Sequence, residues 1–178
     1  MTLVELMVTL ALLAIMLSFA VPSIVAFRER AQVSSLVNDF NTSVTSARAK
    51  AIAMGVCVSM CRTDDPSAAA PVCNLATGAN WEVGWLVFTN RACDPGASNP
   101  ATAGELIDVR VGDVNGATLV SGATNESGRR LMFDSRGMLS FAVSEMSFAA
   151  RSPGSTPNLV RAVCLNAAGR VRVGDSAC

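Results

Sequence analysis

The stretch LVELMVTLALLAIMLSFAV, Leu3 to Val21, contains only three polar residues, Glu5, Thr9 and Ser18. About 20 residues of helix cross the hydrocarbon core of a bilayer, so this run is just long enough for one pass. A cleavable signal peptide has a basic start and a small-residue cleavage site. No Lys or Arg precedes the run and nothing directly after it reads A-x-A, so the segment is expected to be retained. Glu5 is the anomaly. A carboxylate in an apolar helix is costly and is usually kept for a specific partner. In the first turns, the helix dipole and a free α-amine would both favour its charge.

Beyond Pro22 the helical period continues with a different pattern. Val33, Leu36, Val37, Phe40, Val44, Ala47 and Ala51 recur at spacings of three and four, which makes one apolar stripe. Arg28, Glu29, Arg30, Ser34, Asn38, Asp39 and Arg48 fill the intervening face, and Gly55 supplies a stop signal. One helix over residues 2–54 is expected, roughly 80 Å long at 1.5 Å per residue. Pro22 removes a backbone donor and crowds the preceding turn, which predicts a kink or local melting. Three regions follow: 1–27 as the hydrophobic helix, 28–55 as its amphipathic continuation, and 56–178 as a β-rich head.

The head reads as short strands between polar turns. Val56–Met60, Trp81–Phe88 and Leu106–Val111 are expected strands, the last with Ile107, Val109 and Val111 on one face. Thr118–Val120, Arg130–Phe133, Leu139–Val143, Met146–Ala149, Arg161–Leu165 and the pair Val171 and Val173 follow. Turn signals stand at Asp94-Pro95-Gly96, Asn115-Gly116, Ser135-Arg136-Gly137 and Ser152-Pro153-Gly154. Residues 62–79 and 92–104 read as the long unstructured stretches. Trp81 and Trp85 read as core anchors, and Gly84 as a site of close backbone approach.

Six cysteines, Cys57, Cys61, Cys73, Cys93, Cys164 and Cys178, point to disulfides in an oxidising compartment. Zinc is disfavoured because the chain has no His and only Cys57 and Cys61 have remotely metal-like spacing. Six cysteines allow about 15 pairings, and sequence does not choose among them. The pairing expected is Cys164 with Cys178, tying down the tail, Cys61 with Cys73, closing a polar loop, and Cys57 with Cys93. An enzyme is disfavoured by the lack of His, of a nucleophile motif and of a carboxylate cluster. No catalytic residue, metal, cofactor or small-molecule substrate is expected.

Net charge is zero, yet seven arginines against three acidic residues from Arg129 onward give that region +4 and the first 128 residues −4. Thirteen of the 14 basic residues are Arg. Arginine suits bidentate contact with phosphate or carboxylate, although genomic base composition accounts for such usage equally well.

Thr2-Leu3-Val4-Glu5-Leu6-Met7, the apolar run and Pro22 together resemble the N-terminus of mature type IV pilins and pseudopilins. Trp81-x-x-Gly84-Trp85-x-Val87-Phe88, Phe133-Asp134-x-Arg136-Gly137 and Ala168-Gly169-Arg170-Val171-Arg172 resemble the GspH/FimT/FimU family of minor pilins and pseudopilins. The resemblance implies an α+β pilin fold: a long N-terminal helix, transmembrane then amphipathic, packed on a sandwich-like head. It implies that Met1 carries the processed, methylated terminal amine, that Glu5 neutralises this amine on a neighbouring subunit, and that Pro22 is a kink position. The family usually has Phe at its first mature position and a short basic leader, where this sequence has Met1. Partners implied are other major and minor pilins, with the inner membrane as anchor and a periplasmic head before assembly into an extracellular pilus. The implied function is a minor pilin at or near the pilus tip that primes assembly. Two alternatives stay open. One is a DNA-binding minor pilin for natural transformation, contacting double-stranded DNA weakly and without sequence preference through Gly169, Arg170 and Arg172, with Arg161, Arg129 and Arg130 as outer contacts. The other is a GspH-like pseudopilin of type II secretion.

Overall fold

The computed structural model describes residues 2–178 apart from 77–79, 113–115, 123–128, 141–144, 153–159 and 176–177; the side chains of 17–23 and 145 are also outside the described set. Met1 and the expected turns at Asn115 and at Pro153-Gly154 lie outside it, as do residues 141–143 of the expected Leu139–Val143 strand.

Helix α1 runs Leu3–Met54 without a break. Thr2 caps it: its hydroxyl accepts from the Glu5 N–H, and the Glu5 carboxylate accepts from the Thr2 N–H, both at 3.3 Å. This reciprocal box satisfies two donors that the first turn would leave unpaired. At the other end Gly55 adopts a left-handed φ of 66° and donates to the Ala51 carbonyl at 3.0 Å. The backbone stays helical through Pro22, so the expected local melting is absent. A proline deletes one donor from the ladder, and the turns on either side retain theirs. The Pro22 side chain itself lies outside the described residues.

Eight strands follow: β1 Cys57–Arg62, β2 Gly84–Asn90, β3 Leu106–Val111, β4 Thr118–Ser121, β5 Arg130–Phe133, β6 Glu145–Arg151, β7 Val160–Asn166 and β8 Val171–Gly174. They form two antiparallel four-stranded sheets, ordered β3-β2-β1-β5 and β4-β6-β7-β8. Between them lies the stripe of α1, with Val37, Phe40, Val44, Ala47 and Ala51 fully buried. Phe40 is the hub. Its ring centroid lies 5.4 Å from Trp81, 5.5 Å from Trp85 and 4.7 Å from Phe148. Val58, Met60, Leu131 and Phe133 of the first sheet join Leu119, Val163 and Leu165 of the second in the same core.

The first sheet is also covered on its outer face. There Cys61, Leu86 and Phe88 pack with Cys73, Leu75, Ala97 and Ala103 from the two long connections. Disulfides Cys61–Cys73 and Cys57–Cys93 staple those connections down, and Cys164–Cys178 holds the C-terminus to β7. With cover on both faces, every residue of β1 and β2 is buried, including the polar Ser59, Arg62, Thr89 and Asn90, so neither strand alternates between buried and exposed positions.

Several local expectations change. The Trp81–Phe88 strand starts at Gly84 because Trp81 donates its N–H to the Leu119 carbonyl at 2.8 Å and so joins β4 instead. Gly84 lets the two strands close, since a Cβ there would lie 2.6 Å from the Arg110 carbonyl oxygen. Ile107, Val109 and Val111 do not share a face. Val87 pairs with Asp108 and Phe88 with Leu106, so Ile107 is an extra, bulged residue. Ile107 reaches the main core, Val109 packs on the outer cluster, and Val111 is exposed. The stretch 92–104 carries a short helix, α2 Pro100–Ala103, capped by the Asn99 side chain.

Candidate functional site

Two places concentrate the expected functional residues. The first is the exposed half of α1. Every described residue from Thr2 to Met16 is solvent-exposed, including Leu3, Val4, Leu6, Met7, Val8, Leu10, Leu12, Leu13, Ile15 and Met16. Among the described residues no helix is long and apolar enough to cross a membrane. The Leu3–Val21 run continues into residues 17–23, whose side chains lie outside the described set. Within this chain Glu5 serves its own helix through the Thr2 box.

The second is the turn joining β7 to β8. Leu165 pairs with Val171 and Cys164 with Arg172, leaving Ala167 to Arg170 to reverse the chain. Asn166 organises the reversal. Its carbonyl accepts from the Gly169 N–H at 2.9 Å, and its side-chain oxygen accepts from the Arg170 N–H at 2.9 Å. Gly169 has φ +70°, and a Cβ there would lie 2.2 Å from the Gly137 carbonyl oxygen and 3.0 Å from Arg48 Nε. The turn is therefore seated against the turn that follows β5. Leu139 N–H donates to the Ala167 carbonyl at 3.0 Å across the same junction.

Arg170 and Arg172 are exposed and line one shallow groove with Cys164, Asn166 and Val171. The Cys164–Cys178 bridge anchors the chain end beside it. The other expected cations are placed differently. Arg161 sits on β7 in an ion pair with Asp175 at 3.5 Å. Arg129 is half-buried in the turn just before β5, whose strand belongs to the other sheet. Arg130 is only 8 % exposed and pairs opposite Cys61, on the covered face of the first sheet.

Asp134 shapes the neighbouring turn. It accepts from the N–H groups of Arg136 and Met138 at 2.9 Å and from the Arg136 guanidinium at 3.0 Å. Burial pushes its carboxyl up, but the Met138 N–H and the Arg136 side chain and N–H outweigh this and hold it below the usual range. Arg48 is the residue that sequence reading left on the solvated face. Its Nε donates to the Gly137 carbonyl at 3.0 Å, beneath the β7–β8 turn. The available signal was its position beside Ala47 and Ala51, at the edge of the stripe. Among the described residues no group of three or more Cys, Asp or Glu is arranged to hold a metal ion.

The family model described as "Type II transport protein GspH" matches residues 36–169. No curated protein matches by sequence. Among solved structures, the type IV minor pilin FimU of Pseudomonas aeruginosa superposes with a TM-score of 0.59 at 18 % identity, covering 85 % of this chain and 96 % of that one. A second crystal form of FimU gives a TM-score of 0.56 at 17 % identity, covering 82 % and 96 %. The minor pseudopilin EpsH of the Vibrio cholerae type 2 secretion system gives 0.52 at 11 % identity, covering 80 % and 96 %.

Proposed function

The chain belongs to the GspH family of minor pilins and pseudopilins, and from that premise we propose that it is a minor type IV pilin that primes filament assembly at or near the pilus tip. The observation that carries this reading is the apolar surface of α1 from Leu3 to Met16, exposed in the protomer although the stripe of the same helix from Val33 to Ala51 is buried against the head. Such a surface needs an apolar environment from outside the chain: the inner membrane before assembly, other pilins afterwards. Glu5 is then the one charged side chain that Leu3–Val21 carries into the assembled core, and the terminal amine of Met1 on the next subunit is its partner. Reversing it with Glu5→Lys is expected to abolish incorporation while leaving the head folded. Unchanged piliation and unchanged incorporation in that strain would sink the proposal. A type II secretion role predicts the opposite phenotype, loss of secretion with piliation intact.

A second reading is DNA capture during uptake, favoured by Arg170 and Arg172 lining one groove on a disulfide-anchored hairpin. Guanidinium groups in such a rigid frame suit phosphate oxygens, and so small a set implies weak, salt-sensitive, sequence-independent binding. Equal duplex binding by the parent protein and by the double variant Arg170→Gln/Arg172→Gln would remove this site.

A further inference from the structure

We propose that Arg48 is a third phosphate-contacting residue of the hairpin surface, so that α1 and the β7–β8 turn hold double-stranded DNA together; this rests on the DNA-capture reading above. Arg48 is 89 residues away from Gly137 in sequence, yet its Nε donates to the Gly137 carbonyl at 3.0 Å. The same Nε and the Cδ lie 3.0 and 3.1 Å from where a Cβ on Gly169 would stand, and the next residue is Arg170. Glycines at 137 and 169 create this seat: each has a positive φ, and a side chain at either would displace the neighbours that form it.

Charge accounting among the nearby arginines singles out Arg48. Arg136 is turned onto Asp134 and Arg161 onto Asp175, so their charges are locally offset. Among the described residues no carboxylate is paired with Arg48 or Arg170. Arg48 is half-buried, and its bond to Gly137 uses one of the five guanidinium N–H donors. The remaining donors sit on a side chain already fixed by that bond, which lowers the ordering cost of a phosphate contact. A helix residue thus adds to the turn a charge with no entropy cost of loop closure.

The test is fluorescence anisotropy of the full chain in non-ionic detergent with a labelled random-sequence duplex, repeated over a salt series, with thermal unfolding followed in parallel. For Arg48→Gln, affinity is expected to fall about fivefold and the slope of log K against log salt to shrink by about one. Arg48→Lys keeps the charge and is expected to keep the slope. If Arg48→Gln binds with parental affinity and slope while Arg170→Gln/Arg172→Gln loses binding, the role of Arg48 is overturned and the hairpin reading stands. If the double variant binds like the parent, the hairpin reading falls and Arg48 with it. Should Arg48→Gln unfold, the Arg48 Nε–H signal of the parent protein decides, followed by NMR as duplex is added: a shift that saturates with binding supports the contact, and an unmoved signal overturns it.

Discussion

Residues 3–16 and 33–51 belong to one unbroken helix, yet their side chains meet opposite fates. In the first segment the apolar residues point in every direction and all stay exposed; in the second they form a stripe from Val33 to Ala51 that is buried throughout. A stripe can be satisfied by one partner surface, and the two sheets supply it. An all-round apolar helix cannot be satisfied by one side of a head, only by surroundings that enclose it. The same element therefore folds the protomer with one half and leaves the apolar surface of the other half exposed.

The sharpest way to break this contrast is to cut a large side chain from each half. Phe40→Ala removes the ring that joins Trp81, Trp85 and Phe148 and is expected to destabilise the head by about 3–5 kcal/mol in denaturant melts. Leu13→Ala is expected to change the same melts by no more than about 0.5 kcal/mol. Comparable losses for the two would mean that the first half also packs within the protomer.

A smaller effect sharpens what the head contributes. The Cys57–Cys93 bridge spans 36 residues and Cys164–Cys178 spans 14. On loop-entropy grounds, replacing the first pair by Ser should cost about 1 kcal/mol more than replacing the last, within losses of about 2–4 kcal/mol each. A larger loss from the C-terminal pair would move the weight of the head's stability from the covered first sheet to the second.

The smallest effect is acid sensitivity at the turn beneath Arg48. The carboxyl of Asp134 titrates lower in the folded chain than in the unfolded one. Its contribution is thus fully present above the unfolded value of about 3.9 and is lost as pH falls through the lower folded value. Asp134→Asn should flatten the melting temperature in that acid window and leave it nearly level above about pH 5. A parent protein with no extra acid loss relative to the variant would show that the turn does not depend on this charge.

Local patterns carried much of the fold into the sequence. The limits of α1 follow from the Thr2 cap, the 3–4 spacing and Gly55, all of which act within a few residues. The strands at 106–111 and 130–133 are likewise plain in β-branched and apolar runs. Glu5, Arg170 and Arg172 were visible as residue types in short motifs. What these residues face was not written in any single segment. Trp81 leaves its strand for β4, Ile107 bulges to the other side, Arg130 is largely buried opposite Cys61, and one of about fifteen cysteine pairings closes. Arg48 meets a turn 89 residues away. Each of these depends on distant backbone arriving at one place. Periodicity and capping are short-range and can be read along the chain, whereas register, cover and close approach arise only when the helix and both sheets enclose a common core.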